Sequence, residues 1–443
     1  MRLARTRILV AALTLLLFGR ASPPARANTD TARHLQWGLE AVRAPQAWSI
    51  GRGAGTTIAV LDTGVDLAHE DLASKLLPGR SFVDAPVQDD RGHGSHVAGI
   101  AAAATDNGRG IAGVAPDTKI LPIRVLGSDG GGTNEEVARG IRFAADQRAT
   151  VINLSLGPEV PLVFSALDDS LVRAIDYAWA KGSVVVIAAG NNFVPLSEYD
   201  NVKAIVVAAV DRNDRRASYS TGVGGAMWSM AAPGGASGTA AQGVLSTYWE
   251  EGKSNSYAFL AGTSMATPHV AGAAAVLRGL GLTPQQTVDR LLSTAKDLGP
   301  AGKDNDFGSG RLDLAAAVAG LGPAPAPAKA TGSGGSATTR PAGRSSTPPT
   351  AASPTAPPGP DSASLPTTPP GAEGQPPPGS TAGQGSTDFT PIEVEEAETA
   401  AAPELGNEEQ GDAGGVPLFA VLLAVGLLAG IGAYGIRRLR RAP

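Results

Sequence analysis

The chain has 443 residues, with 36 Lys and Arg against 41 Asp and Glu, a net charge of −5 and no cysteine. The length exceeds one typical domain, so part of it is expected to be non-globular. The charge gives no sign of nucleic-acid binding. The cysteine count excludes disulfides and thiolate metal sites from an exported domain.

Residues 1–27 read as an export signal. Arg2, Arg5 and Arg7 form a basic start, Ile8 to Phe18 an apolar run, and Ala25-Arg26-Ala27 a small-residue cleavage site. The run is too short to span a bilayer comfortably, which favours cleavage over a retained anchor. Residues 28–322 follow as the folded part, long enough to bury one large core. Strand-length apolar runs occur at Thr57 to Leu61, Ile120 to Val125, Thr150 to Leu154, Ser183 to Ala189 and Ala204 to Val210. Near-continuous Val and Ile suit strands buried on both faces of a parallel sheet.

Helical patterns separate these runs. Glu135 to Asp146 places Val137, Ile141 and Ala144 or Ala145 on one face, with Asn134 as N-cap. Asp169 to Lys181 does the same with Leu171, Val172, Ile175 and Trp179, and stops at Gly182. A small-residue helix is expected over Val97 to Ala104 and an apolar one over Ser264 to Leu277. The alternation predicts an α/β fold with a mainly parallel central sheet and helices on both faces, a three-layer arrangement. In such sheets, functional groups gather at the carboxyl ends of the strands.

Residues 323–415 are dominated by Pro, Gly, Ser, Thr and Ala and are expected to be a disordered tether. As a coil of about 93 residues it would reach roughly 50–60 Å. Its last part is acidic, with Glu393, Glu395, Glu396, Glu398, Glu404, Glu408, Glu409 and Asp412. That composition suits a solvated spacer repelled by an anionic membrane, and it also suits a docking tail. Val416 to Ile436 is an uncharged run of 21 residues, enough for a transmembrane helix. The tail 437–443 carries Arg437, Arg438, Arg440 and Arg441, which prefer the cytoplasmic side. The expected topology is a single-pass membrane protein with its folded domain outside the cell.

Three distant segments offer the groups of a nucleophilic site. Val60-Leu61-Asp62-Thr63-Gly64-Val65-Asp66 supplies a carboxylate, His93-Gly94-Ser95-His96-Val97-Ala98-Gly99 an imidazole, and Gly262-Thr263-Ser264-Met265-Ala266-Thr267-Pro268 a hydroxyl. A serine hydroxyl is a poor nucleophile until a base takes its proton, and the base works best when a carboxylate holds its tautomer. The physics asks for one histidine near the serine and does not choose among His34, His69, His93, His96 and His269. Asp66 is a rival carboxylate to Asp62.

These segments, in the order Asp, His, Ser, resemble the subtilisin-like serine peptidases, or subtilases. Ile111-Ala112-Gly113-Val114-Ala115-Pro116, Val151-Ile152-Asn153-Leu154-Ser155-Leu156-Gly157 and Ala188-Ala189-Gly190-Asn191 extend the resemblance over Trp37 to Leu321. The resemblance implies a subtilisin-like fold and a serine endopeptidase acting on polypeptide. It makes Ser264 the nucleophile, His93 the general base and then acid, and Asp62 the group that orients His93. His96 and His269 are then packed helix histidines. Asn191 and the Ser264 backbone N–H become the oxyanion donors. Ser155, Leu156 and Gly157 resemble one edge that pairs with an extended substrate, and Gly130, Gly131 and Gly132 the other. The glycines are not a phosphate loop, because no Gly-Lys-Ser/Thr follows them.

The chemistry requires no cofactor. Asp71 aligns with a carboxylate that many subtilases use for a structural calcium, and Asp106-Asn107-Gly108 lies where further ligands are expected. The usual N-terminal ligand position falls near Arg33, which cannot ligate. The alternative is that Asp71 caps a turn beside an ordinary loop tip. Two further departures stand out. The stretch between the cleavage site and Trp37 leaves no room for a sizeable pro-domain, and Leu196-Ser197-Glu198-Tyr199-Asp200 replaces a longer pocket-lining segment.

The layout of signal, peptidase, Pro-rich tether and anchor resembles mycosins, the membrane-bound subtilases of type VII secretion, and implies a secretion complex as partner. Mycosins have disulfides, which this chain cannot form. Two other readings compete. A silent peptide-binding or scaffold module has no physical need for the full set of Asp62, His93, Ser264 and Asn191. An aspartic peptidase, suggested by Asp62-Thr63-Gly64, needs a second such motif, and the chain has one.

Overall fold

A computed structural model of the protein describes residues 29–156, 169–191 and 201–322. The predicted signal, tether, membrane span and basic tail lie outside these residues. No helix among the described residues is long and apolar enough to cross a membrane.

Seven strands form one parallel sheet: β1 (Thr57–Asp62), β2 (Arg80–Ser81), β3 (Lys119–Arg124), β4 (Val151–Leu154), β5 (Val184–Ala188), β6 (Ala204–Val210) and β7 (Trp228–Pro233). Their spatial order is β2-β3-β1-β4-β5-β6-β7. A separate antiparallel hairpin joins β8 (Val244–Tyr248) to β9 (Ser256–Leu260). The helices are α1 (Trp37–Ala41), α2 (Ala44–Ala47), α3 (His93–Ala102), α4 (Asn134–Asp146), α5 (Asp169–Ala180), α6 (Thr263–Gly279), α7 (Pro284–Ser293) and α8 (Leu314–Val318).

The side-chain period of a strand sends alternate residues to opposite faces. On β1, Ile58 and Val60 enter a core shared with Val97 and Ile100 of α3 and Val270 and Ala274 of α6. Ala59 and Leu61 enter the other core, with Val137 and Ile141 of α4 and Leu171 and Ile175 of α5. Helices therefore cover both faces, and the predicted three-layer α/β fold is the one formed. Small residues let α6 run close to its neighbours. A Cβ on Gly272 would lie 2.7 Å from Val114 Cβ and 3.0 Å from the Ala101 carbonyl.

Several details differ from the sequence expectation. Thr133, not Asn134, caps α4, in a capping box with Glu136. The α3 helix starts at His93 itself. Strand β7 was not expected, because Trp-Ser-Met-Ala-Ala-Pro has weak strand propensity and ends in proline. It forms because β6 offers it a buried edge along its whole length.

The chain leaves β1 to build β3 on one side and returns to place β4 on the other, so the sheet reverses its winding there. A crevice outside the carboxyl ends of such strands is where sites are built. Leu61 pairs with Leu154 at that point, setting Asp62 and Ser155 side by side at the strand ends.

Candidate active site

Asp62 closes β1 and is fully buried. Its Oδ1 accepts from the Thr63 N–H at 2.8 Å and lies 2.7 Å from His93 Nδ1. That contact places the proton of a neutral imidazole on Nδ1 and leaves Nε2 as the basic nitrogen. Asp62 Oδ2 is buried without a hydrogen-bond partner among the described residues. The imidazole is therefore the main polar partner of this carboxylate. Asp66 is elsewhere: its Oδ1 accepts from Ala68 N–H and Gln88 Nε2.

His93 is the first residue of α3, and its side chain is 31% exposed. The partial exposure lets it exchange protons with a bound molecule. The other helix histidines cannot. His96 donates from Nε2 toward the carbonyls of Val244 and Ala258, both at 3.0 Å, and burial lowers its pKa to about 3. His269 lies 2.9 Å through Nδ1 from the Met265 carbonyl, and burial lowers its pKa to about 4. Both are neutral structural groups. His69 accepts at Nδ1 from the Asp71 N–H and faces the Ser256 carbonyl with Nε2.

Asp89, which the motif reading passed over, fixes the start of α3. Its Oδ1 accepts from Thr63 Oγ1, Arg91 N–H and Gly92 N–H, and its Oδ2 from the Ser95 N–H and hydroxyl. Thr63 Oγ1 in turn accepts from the Gly94 N–H at 3.0 Å. The strand end carrying Asp62 and the helix start carrying His93 are thus tied together on both sides of the imidazole. The sequence signal was available in Asp89-Asp90-Arg91-Gly92-His93, where a carboxylate precedes a helix N-terminus.

Ser264 lies in the first turn of α6, half-buried, after the N-cap Gly262. Its position follows from Pro268. Proline has no N–H, so the Ser264 carbonyl receives no helical bond from position 268. The Ser155 hydroxyl donates to it instead at 2.8 Å, and Asn153 Nδ2 donates to Ser155 Oγ at 3.0 Å. The Ser264 hydroxyl donates to the Ser155 carbonyl at 3.2 Å. Ser264 is thereby fastened to the end of β4, the neighbour of the strand that ends in Asp62.

Asn191 follows β5 and is exposed. Its Oδ1 accepts from the Thr263 N–H at 3.1 Å and from Thr263 Oγ1 at 3.0 Å, which commits the amide oxygen and leaves Nδ2 to face outward. A Cβ built on Gly262 would lie 3.6 Å from Asn191 Nδ2 and 3.6 Å from the Ser264 backbone nitrogen. The two nitrogens therefore flank one small space, closed on a third side by Met265 Sδ at 3.7 Å. The amino end of α6 adds partial positive charge there. The arrangement can stabilise an oxyanion beside the hydroxyl.

The predicted substrate edges are only partly as expected. Ser155 and Leu156 extend beyond β4, and Gly157 lies outside the described residues. Gly130 and Gly131 form a tight turn, not an extended edge. Gly130 N–H donates to the Gly127 carbonyl, Gly131 N–H to Asp129 Oδ1, and the Gly131 carbonyl accepts from Gly127 N–H. Neither polar group of Gly132 takes part in that turn.

The calcium residues do not form a cage. Asp71 accepts from Asn107 Nδ2 at 2.7 Å, Ile111 N–H at 2.9 Å and Tyr257 Oη at 2.9 Å. Burial raises its carboxyl pKa. Asp106 turns away to Arg52 at 3.2 Å. Asn107 presents its amide nitrogen, not its oxygen, to Asp71. Asp30, not the position near Arg33, meets this loop, accepting from the N–H groups of Asp106, Asn107 and Gly108. Hydrogen-bond donors thus take the oxygens a hard cation would need. Among the described residues, no cluster of three or more Asp, Glu, His or Cys side chains is placed to hold a metal.

The subtilase family model matches residues 53–310. The chain is 44% identical over 287 residues to thermitase of Thermoactinomyces vulgaris, covering 64% of this chain and 95% of that protein. It is 39% identical over 300 residues to subtilisin DY of Bacillus licheniformis, covering 65% of this chain and all of that protein (100%). Among solved structures, a protease from Pseudoalteromonas arctica superposes with a TM-score of 0.60 at 36% identity, over 66% of this chain and 98% of that one. A match over more than half the chain, with the same parallel-sheet fold, has one meaning: the chain belongs to the subtilase family of serine endopeptidases.

Proposed function

We propose that Asp62, His93 and Ser264 carry out peptide-bond hydrolysis in this chain, with Asn191 and the Ser264 N–H as oxyanion donors. Ser264 Oγ attacks the scissile carbonyl while His93 Nε2 takes its proton. Asp62 holds the Nδ1 proton and stabilises the imidazolium. The carbonyl oxygen, now negative, moves into the space between Asn191 Nδ2 and the Ser264 nitrogen. His93 returns the proton to the departing amine. Water then repeats the sequence on the acyl-enzyme and regenerates Ser264.

The observation that carries this reading is the 2.7 Å contact between His93 Nδ1 and a fully buried Asp62. It supports His93 over the other four histidines and Asp62 over Asp66. The substrate is an extended polypeptide lying beside Ser155 and Leu156, where main-chain pairing gives affinity with little sequence selection. The sequences at 1–27 and 416–441 support an outward-facing domain anchored in the cell membrane by the C-terminal segment.

A fluorophosphonate probe tests the reading. The purified chain is expected to take one label, on Ser264, and the Ser264→Ala variant none. Labelling is expected to rise with pH as His93 loses its proton. An unlabelled chain, under conditions where a control serine peptidase reacts, would overturn the assignment.

A further inference from the structure

We propose that the groove between β2 and α4 binds an acidic segment of this same chain, residues 388–398. The groove has a volume of about 510 Å³ and is lined by Arg80, Phe82, Arg139, Arg142 and Phe143 among others. It lies at the outer edge of the sheet, where β2 pairs only with β3. Its cations are ordered. The Arg80 guanidinium stands 5.1 Å from the Phe82 ring centroid and 5.3 Å from that of Phe143. Arg139 stands 5.6 Å from the Phe82 ring and donates to the Phe82 carbonyl at 3.1 Å. The two rings meet edge to face at 5.8 Å.

Many arginines of the fold are already paired. Arg33, Arg43, Arg52, Arg109, Arg215 and Arg311 each reach a carboxylate. Arg80, Arg139 and Arg142 form no ion pair among the described residues, and their side chains make no contact there beyond the ring contacts and the one hydrogen bond given above. The carboxylate on the rim, Asp146, accepts from Tyr177 Oη at 2.6 Å and lies 3.9 Å from Lys181. Two of these cations, Arg80 and Arg139, are held on aromatic faces, Arg142 stands beside them, and none is paired with the one carboxylate of the lining, Asp146, so an arriving carboxylate relieves their mutual repulsion.

The chain carries a matching ligand. Residues 388–398 read Asp-Phe-Thr-Pro-Ile-Glu-Val-Glu-Glu-Ala-Glu, with five carboxylates, no cation, and Phe389, Ile392 and Val394 interleaved. The carboxylates suit the guanidinium groups and the apolar residues suit the two rings. A coil of about 65 residues, the stretch after Gly322, spans roughly 45 Å on average. Docking closes residues 323–387 into a loop.

The test uses the full-length Ser264→Ala chain with a benzophenone amino acid replacing Phe389. Irradiation is expected to give intramolecular cross-links to residues 80–83 and 139–143. Yield is expected to fall at least fivefold in 0.5 M NaCl, which screens such contacts. Arg142→Glu, at a side chain that makes no hydrogen bond in the structure, is expected to lower it, and Arg139→Glu with Arg142→Glu to lower it further. Adding Glu393→Lys, Glu395→Lys, Glu396→Lys and Glu398→Lys to that double variant is expected to restore it. The same arginine variants in the Ser264 background must still take the fluorophosphonate label, which checks their folding. Cross-links elsewhere, or links indifferent to salt and charge reversal, would overturn the proposal. So would products of dimer mass, which would place the segment on a second copy.

Discussion

Ser155 and Ser264 hold each other by two reciprocal hydrogen bonds, the Ser155 hydroxyl to the Ser264 carbonyl at 2.8 Å and the Ser264 hydroxyl to the Ser155 carbonyl at 3.2 Å. The first bond exists because Pro268 cannot donate to that carbonyl. Helix start and strand end are joined at Ser264, the proposed nucleophile.

Ser155→Ala therefore leaves the Ser264 carbonyl and Asn153 Nδ2 without their partner in a buried place. The expected loss is about 1–3 kcal/mol of stability. A barrier increase of about 1.4 kcal/mol would accompany it as a tenfold fall in kcat/KM. Pro268→Ala restores an N–H able to reach the same carbonyl. Combined with Ser155→Ala it is expected to recover part of the lost stability, measured by urea unfolding of both single variants and the double. Strictly additive losses would refute the link between Ser155 and Pro268.

Gly262→Ala tests the oxyanion space without disturbing the fold. Gly262 has a φ of 166°, extended backbone open to any residue. The added methyl would meet its nearest neighbours at 3.6 Å, ordinary contact, and those neighbours are Asn191 Nδ2 and the Ser264 nitrogen, the proposed donors. The variant should melt within a few degrees of the parent while kcat falls by about ten- to a hundredfold, equivalent to roughly 1.4–2.7 kcal/mol. Removing the donor outright in Asn191→Leu should cost about 10²–10³ in rate, the magnitude known for such a donor in a subtilisin. A Gly262→Ala enzyme with unchanged kcat would show that the developing charge lies elsewhere.

Much of the fold is legible in the sequence. The runs at Thr57, Thr150 and Ala204 became strands because residues buried on both faces leave a continuous apolar signature. The motif residues Asp62 and His93 do meet, since each ends or begins an element at the same crevice. What stayed hidden was support. Asp89, Asp30 and Arg124 are charged residues buried by their hydrogen bonds, and a linear pattern does not distinguish them from surface charge. The turn at Gly130 and Gly131 was also invisible, because glycine permits an extended edge and a tight turn alike.

The buried histidines make stability depend on pH. Burial disfavours the charged form and lowers the pKa of His96 to about 3 and of His269 to about 4, against about 6.5 in the unfolded chain. Between those values the unfolded state binds protons that the folded state refuses, so stability rises with pH. Their contribution is complete above about pH 6.5 and is lost as pH falls, toward about 4 for His269 and about 3 for His96. Asp71, with its carboxyl raised by burial, opposes this over the window just above its ordinary value of 3.8. Urea unfolding at pH 7, 5.5 and 4.5 should show the decline. His269→Gln should flatten it by up to one proton, about 1.4 kcal/mol per pH unit. An identical slope in the variant would show that His269 is protonated in the fold.

Arg124 should not tolerate lysine. It is fully buried at the end of β3 and spends its guanidinium on two loops at once. Nη1 donates to the carbonyls of Pro86 and Gln88, Nη2 to both oxygens of Asp90, and Nε to the Leu126 carbonyl. One loop leads into Asp89 and His93, and the other leads to the turn at Gly130. A lysine ammonium is a point charge with three donors and cannot match a planar fork. Arg124→Lys is expected to cost about 1.5–3 kcal/mol, the range for hydrogen bonds to charged groups. It should lower kcat/KM while leaving the acid limb of the pH profile in place, because the Asp62–His93 contact is untouched. A shifted acid limb would mean that Arg124 acts on the imidazole itself and not through the loops it joins.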